Sequence, residues 1–389
     1  MIFTILFWFA VGALFYTYVG YPLLLSILAH GKKGNEVRYT EDEEWPVVSI
    51  LIAFHNESEV LGEKITNLDL LDYPSGKLEI LMGSDASDDG SDQLVHNWSS
   101  KHAHVVFHRF EKRTGKIAII NHLAEMARGE VLVISDANVF AKPDALRQMI
   151  RHFKNSEIGL VDSNMTHLGI VKRGISVQEH SYISREMRMK HHESLVWGSM
   201  MGPSGGFYAV RKSLFQPVPP KFLVDDFYIN MKVLTSGKKS MHESGAIVFE
   251  DISSSIYEEF RRKIRISAGN FQNLSRFIKV LSRPGTAVAF TFLSHKVLRW
   301  LGPLFIGMAF ISNVFLTSVW LYRATFILQL VLFSIPIIDL LLRKFNIHVV
   351  ILRFVTHFYN MNLALLIGFG WFLKGVDSNV WEPTRRNQS

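Results

Sequence analysis

The chain predicts an α/β domain with a mostly parallel sheet, flanked at both ends by α-helical transmembrane segments. Three observations carry that expectation. Short apolar runs alternate with amphipathic stretches through the middle of the chain, the pattern of strands covered on both faces by helices. The 389 residues are 48% hydrophobic, and the apolar residues concentrate at the two ends. Acidic clusters follow apolar runs at Asp85-Ala-Ser-Asp88-Asp89, at Asp136-Ala-Asn138 and at Asp225-Asp226. An acidic pair inside an apolar segment such as Phe222–Ile229 is costly to bury without a partner or a task.

Residues 2–29 are almost uncharged and long enough to cross a bilayer with some tilt. No basic region precedes them, and the apolar span exceeds that of a signal peptide, so residues 1–30 are expected to be a retained anchor. Lys32 and Lys33 follow directly, which by the positive-inside bias places the next domain in the cytoplasm, with the protein integral to a membrane. The absence of cysteine excludes disulfides and thiolate chemistry and leaves any metal to oxygen or imidazole ligands. The net charge of +7 resides beside apolar helices rather than among stacking aromatics. A bilayer of anionic lipid is therefore the expected partner, and nucleic acid is not.

After a polar linker at 34–46, strands are expected over 47–53, 78–83, 105–108 and 130–135, with helices over 58–71, 92–101 and 116–126 between them. In such sheets ligands bind beyond the carboxyl ends of the strands, where the turns 54–57, 84–90 and 136–138 would meet. A long helix over 175–197 leads to Gly202-Pro-Ser-Gly-Gly206, a turn that either lets backbone approach a ligand or simply enters the strand 207–210. His191 and His192 adjoin on that helix and point apart, so they are read as surface or core residues rather than metal ligands. From 256 to 281, Phe260, Ile264, Phe271, Leu274 and Ile278 recur at helical spacing with Arg and Lys between them. That pattern suits an interfacial helix with its cations toward lipid phosphate, or a helix packed on the soluble domain. Membrane spans are expected near 300–321, 325–342 and 351–372. The basic residues at Arg343-Lys344 and at Lys374, Arg385 and Arg386 pull the topology in opposite directions, which one re-entrant segment would reconcile. The resulting organisation is an anchor at 1–30, a catalytic domain at 46–252, amphipathic helices at 253–296, a membrane region at 297–374 and a tail at 375–389.

Five motifs, Val48-Ser-Ile-Leu-Ile-Ala-Phe-His-Asn-Glu57, Asp85-Ala-Ser-Asp-Asp-Gly-Ser91, Ser135-Asp-Ala-Asn138, Asp225-Asp226 and Arg262-Lys-Ile-Arg265, occur in one order. In that order and spacing the chain resembles the membrane-bound family 2 glycosyltransferases, the group of the cellulose, poly-N-acetylglucosamine and hyaluronan synthases. The resemblance implies a GT-A nucleotide-sugar-binding domain and a divalent cation, Mg²⁺ or Mn²⁺, with a UDP-sugar as donor. It implies that Phe54, Glu57 and Asp85 hold the uridine, where a carboxylate opposite a base N–H makes a strong hydrogen bond. Lys116 would lie near the diphosphate, although a lysine at a helix start needs no such role. Asp136 takes the first position of the family's DxD metal motif, and Asn138 stands where the second carboxylate would be, so the cation would lean more on phosphate and water. Asp226 would be the general base with Asp225 beside it, and both also suit a helix cap. Arg265 keeps the arginine of the Gln-x-x-Arg-Trp motif, while Arg262 and Ile266 replace its glutamine and tryptophan.

An inverting transfer needs one carboxylate to take the acceptor proton and none to form a covalent intermediate. The expected activity is inverting β-glycosyl transfer to a membrane-associated glycan or lipid-linked acceptor, in cell-surface or exopolysaccharide synthesis, with other polysaccharide-assembly proteins admitted as partners. Two alternatives stand beside it: a processive synthase that translocates its product, weakened by the missing tryptophan, and a catalytically silent scaffold, weakened by the presence of both the candidate base and the nucleotide aspartates.

Overall fold

The computed structural model describes residues 1–168, 176–251, 256–345, 347 and 349–377. The expected tail positions Arg385 and Arg386 and the start of the long helix at Ile175 lie outside them.

The amino-terminal segment is one rod, α1 (Ile2–Phe15) and α2 (Tyr21–Ala29), joined by a π-helical turn at Tyr16–Gly20. Its 28 residues give roughly 42 Å at 1.5 Å per residue, more than a hydrocarbon core of about 30 Å requires. It is apolar along its length, and Ile5, Phe9, Phe15 and Leu23 face outward, as lipid-facing residues do.

The central domain folds around β1 (Val48–Phe54), β2 (Leu78–Asp85), β3 (Val105–Phe110), β4 (Val131–Asp136), β5 (Val139–Ala141), β6 (Ile158–Leu168), β7 (Phe207–Arg211) and β8 (Lys239–Asp251). These form one eight-stranded mixed sheet in the order β3-β2-β1-β4-β7-β6-β8-β5. The first four neighbours are parallel, β7 is antiparallel to both β4 and β6, and β6 is parallel to β8. Every residue of β1 is buried, as a central parallel strand covered on both faces must be. Strand alternation sorts its side chains into two layers. Ile50 and Ile52 join Ile80, Met82 and Val133 beneath α3 (Ser58–Asp69) and α4 (Ser91–Ser99), whereas Leu51 and Ala53 join Leu81, Leu132 and Ile134 beneath α5 (Lys116–Met126).

The parallel half matches the sequence expectation to within a few residues, and α5 matches it end to end. Strands β5, β6 and β8 were not foreseen. Their sequences carry Asp162, Ser163, Asn164, His242, Glu243 and Ser244 among the apolar positions, and pairing partners some eighty residues apart supply the ladder that local pattern does not advertise. The helices α6 (Ala145–Ile150), α7 (Ser176–Trp197) and α8 (Asp225–Thr235) complete the domain.

Beyond β8, α9 (Ile256–Phe277) runs against the last helix among the described residues. The short helices α10 (Ala287–Thr291) and α11 (Leu298–Trp300), joined by a π-helical turn, meet α12 (Gly302–Val314) at an angle of 60°. The expected span at 300–321 is therefore a bent pair, broken where Pro303 opens α12 and has no N–H to continue the preceding ladder. Two full-length apolar helices follow, α13 (Trp320–Lys344) and α14 (Val350–Lys374). Among the described residues, three helices are long and apolar enough to cross a membrane, or four if the bent pair counts as one span.

Two devices fix the central domain to the apolar helices. On α14, a Cβ at Gly368 would fall 2.4 Å from Ser267 Cβ and 2.8 Å from the Ile264 carbonyl, so only glycine lets α9 and α14 approach this closely. Phe271 packs its ring 4.8 Å from Phe369 in the same seam. The second device is polar. Tyr21 of α2 donates to Glu193 of α7 at 2.7 Å, and His295 lies between Glu193 (2.7 Å) and Glu186 (3.0 Å). Glu186 also accepts from Lys296 and Arg299, and burial, which alone would raise its pKa, is outweighed by these cations, so it is held well below the ordinary carboxylate range.

Candidate active site

The carboxyl ends of β1 and β4, the start of α8 and one turn of α9 surround a cavity of about 250 Å³. It is lined by Glu57, Lys116, Asp136, Asn138, Asp225, Asp226 and Arg265, so most of the residues selected from the sequence converge here. Lys116 opens α5 and donates to Asp136 Oδ1 at 2.6 Å. Burial would lower its pKa, but Asp136, Asp225 and Asp226 outweigh burial and hold the ammonium above the usual lysine value. Arg265 closes the opposite wall; burial and the neighbouring Arg262 hold its pKa down against the pull of Asp225, Asp136 and Asp226.

Asp226 faces the turn at 202–206. Its Oδ1 accepts from the Phe227 backbone N–H at 2.7 Å, and its Oδ2 lies 2.8 Å from where a Cβ on Gly205 would stand. Gly205 has φ +88°, a conformation that glycine adopts without strain. The turn is held from behind by Asp162, which accepts from the Ser204 backbone N–H at 2.9 Å and from Lys190 at 3.2 Å. Burial, and then the adjacent Asp225, raise the Asp226 pKa to about 7, the environment expected of a carboxylate that takes up a proton near neutrality.

Two sequence-selected residues lie elsewhere. Phe54 is in the core, its ring stacked on Phe107 at 6.3 Å, and Ala53 takes its place at the cavity wall. Asp85 is fully buried with both carboxylate oxygens committed. They accept from the Thr114 N–H (2.6 Å), the Gly115 N–H (3.2 Å) and Arg113 Nε (3.1 Å). Arg113 also contacts His55 Nε2 at 2.7 Å, and His55 Nδ1 meets the Asp85 carbonyl at 2.8 Å. Asp85 thus shapes the loop that delivers Lys116.

Sequence reasoning missed Lys64 and Glu250. Lys64 is completely buried under the Asp136–Asn138 turn and donates to Ser135 Oγ at 2.8 Å and to the Val139 carbonyl at 2.5 Å. Burial lowers its pKa to about 7 against the pull of Asp136. Its signal was visible, because Val60, Leu61, Lys64 and Leu68 form the buried stripe of α3 and a lysine there breaks the apolar spacing. Glu250, at the end of β8, accepts from Asn138 Nδ2 at 3.4 Å, and nothing in its own polar strand announced it.

Among the described residues no three His, Asp or Glu side chains stand close enough to hold a metal by themselves. One carboxylate, Asp136, with the Asn138 amide two residues on, suits a hard cation that takes its remaining ligands from phosphate oxygens and water.

Residues 49–218 match the family described as glycosyl transferase family 2. This chain carries a family 2 glycosyltransferase domain. A mannosyltransferase from Pyrobaculum calidifontis, solved in complex with GDP-mannose and Mn²⁺, superposes with a TM-score of 0.69 over 95% of this chain and 99% of its own at 18% identity, which establishes the GT-A fold. Curated relatives include the poly-beta-1,6-N-acetyl-D-glucosamine synthase of Staphylococcus epidermidis strain RP62A, 24% identical over 71% of this chain and 65% of that protein. The beta-monoglucosyldiacylglycerol synthase of Trichormus variabilis is 28% identical over 37% of this chain and 32% of that protein. The chain thus spans less than two thirds of the length of either relative.

Proposed function

We propose that this protein transfers a sugar, with inversion, from a UDP-sugar to a hydroxyl of a membrane-associated glycan or lipid-linked acceptor, at the cytoplasmic face of the inner membrane. The observation that carries this reading is the position of Asp226. It lines the 250 Å³ cavity with Lys116, Asp136 and Arg265, and it also lines a second cavity of about 430 Å³ whose wall includes Tyr18 of the anchor and Phe358 of α14. A base at the junction of a phosphate-binding site and a membrane-facing site is where a donor and a membrane-held acceptor would meet.

In the transfer, Asp226 takes the proton of the acceptor hydroxyl as its oxygen attacks the anomeric carbon of the sugar. The bond from that carbon to the diphosphate oxygen breaks, and UDP leaves. Lys116 and Arg265 offset the charge that develops on the leaving diphosphate. A divalent cation held by Asp136 beside Asn138 would supply further charge stabilisation there. The named activities of the relatives, polysaccharide and glycolipid synthesis, agree with this class of reaction.

The test is UDP release from a panel of UDP-sugars by the full chain in lipid, with Mg²⁺ or Mn²⁺. Donor-specific release that Asp226→Asn abolishes while UDP binding persists supports the reading. Release unaffected by that substitution, or no UDP binding at all, sinks it.

A further inference from the structure

The 430 Å³ cavity is in the size range of small-ligand sites, and its walls have two distinct characters. Thr17, Tyr18 and Pro22 of the anchor and Phe354, Phe358 and Met361 of α14 form one side. All but Phe354 are mid-helix in two apolar rods, on the order of 10 Å or more from either helix end at 1.5 Å per residue, so the cavity extends well inside the apolar length of both helices. The Tyr18 and Phe358 rings touch edge to face at 5.2 Å between the two helices. The other side is cationic. Arg185 and Lys190 of α7, Lys296, Arg299, and Arg262 and Lys263 of α9 line it, against the acids Glu186, Asp226 and Glu250. Lys296 and Arg299 share the carboxylate of Glu186, Arg262 and Lys263 share that of Glu259, and Lys190 pairs with Asp162, so with Asp226 and Glu250 the six cations face five carboxylates and the wall keeps a small positive excess.

Asn362 is 5% exposed and lines the cavity; its Nδ2 donates to the Phe358 carbonyl at 2.9 Å, and its Oδ1 accepts no hydrogen bond among the described residues. An orphaned buried acceptor costs about 1–3 kcal/mol and is relieved by a ligand that brings a donor such as a hydroxyl.

Building on the glycosyl-transfer reading, we infer that this cavity binds the acceptor as an amphiphile, a phosphate-bearing, hydroxyl-bearing head group whose chain lies between the anchor and α14. The cations match the phosphate, Asn362 matches a hydroxyl, and the aromatic and aliphatic wall matches the chain. The chemistry is shared by a glycerophospholipid and a polyprenyl phosphate.

Photolabelling of the purified full chain in a neutral detergent tests this without requiring turnover. The probe is phosphatidylglycerol with a benzophenone on one acyl chain, and crosslinked peptides are mapped after digestion. Crosslinks are expected on the segments 17–22 and 354–365, at least fivefold weaker in Met361→Trp, which fills the cavity. Excess unlabelled phosphatidylglycerol or a polyprenyl phosphate competes, the ratio of the two separating the sources, and a neutral glucosyl-diacylglycerol competes at least tenfold less well. Arg185 is exposed, so Arg185→Ala leaves the fold intact and weakens competition severalfold. Labels spread over outward positions such as Leu330 and Ile337 and indifferent to Met361→Trp would overturn the inference as annular lipid. Competition by a soluble oligosaccharide would mark a glycan channel instead, competition by inorganic phosphate alone would remove the chain from the argument, and equal competition by the neutral lipid would remove the phosphate. Loss of UDP binding would sink the donor reading while leaving the labelling result legible.

Discussion

Lys116 Nζ lies 2.6 Å from Asp136 Oδ1, so the lysine that opens α5 and the aspartate that ends β4 hold each other at the wall of the 250 Å³ cavity. The start of a helix and the end of a strand are thereby tied at the point where the proposed diphosphate would arrive. Replacing the lysine removes a charge-assisted contact and loosens the carboxylate. A contact of this kind is worth about 1.5–3 kcal/mol, so Lys116→Met is expected to weaken UDP binding by roughly 10–100-fold, measured by isothermal titration in Mn²⁺ buffer. Unchanged affinity would leave Lys116 with the structural role of pairing Asp136 alone.

The raised pKa of Asp226, about 7, fixes the sign of two pH effects. Activity that depends on the ionised carboxylate rises as pH passes through that value. Asp225→Asn removes the neighbouring charge and is expected to move this limb about one unit toward acid. Stability runs the other way. The folded state binds the extra proton between roughly pH 4, the ordinary aspartate value, and 7, so stability falls as pH rises through that window. Asp226→Asn should flatten the fall in a series of thermal melts.

Gly205 stands against Asp226 with φ +88° and no room for a Cβ. Gly205→Ala is therefore expected to displace either the turn or the carboxylate. A misplacement of about 1 Å costs on the order of 100-fold in rate, and UDP binding should survive because Lys116 and Asp136 are untouched. Turnover and binding measured on one preparation check this, and full activity in the alanine variant would contradict the proposed place of the base.

Lys64 is charged at neutral pH only with difficulty, its pKa lowered to about 7 by burial. Between that value and its unfolded value near 10.4 the unfolded state binds the extra proton, so stability rises with pH across the window. Lys64→Met keeps the volume and removes the titration, and thermal melts between pH 7 and 10 should lose that rise. The same variant frees Ser135 and the Val139 carbonyl, which the lysine ties together. A lower affinity for Mn²⁺ in the presence of UDP is expected, with the fold retained by circular dichroism.

The sequence by itself determined the βα alternation from Val48 to Asp136, the anchor, the apolar carboxyl-terminal helices and the acidic positions around the donor site. These are local properties. Covered parallel strands, amphipathic helices and bilayer-length segments each declare themselves in hydropathy at short range. Only the tertiary structure decided the rest. Strands β6 and β8 are polar and exist because they pair with each other; Phe54 turned into the core because strand alternation gave the cavity wall to Ala53; Asp85 became the organiser of the 113–115 loop. The second cavity could not be read from the chain at all, since it requires Tyr18, Asp226 and Phe358 to line one space. Their meeting depends on a helix seam closed at Gly368 and on buried charges that link α2, α7 and the segment 292–299, and contacts between residues hundreds of positions apart leave no periodic trace in a sequence.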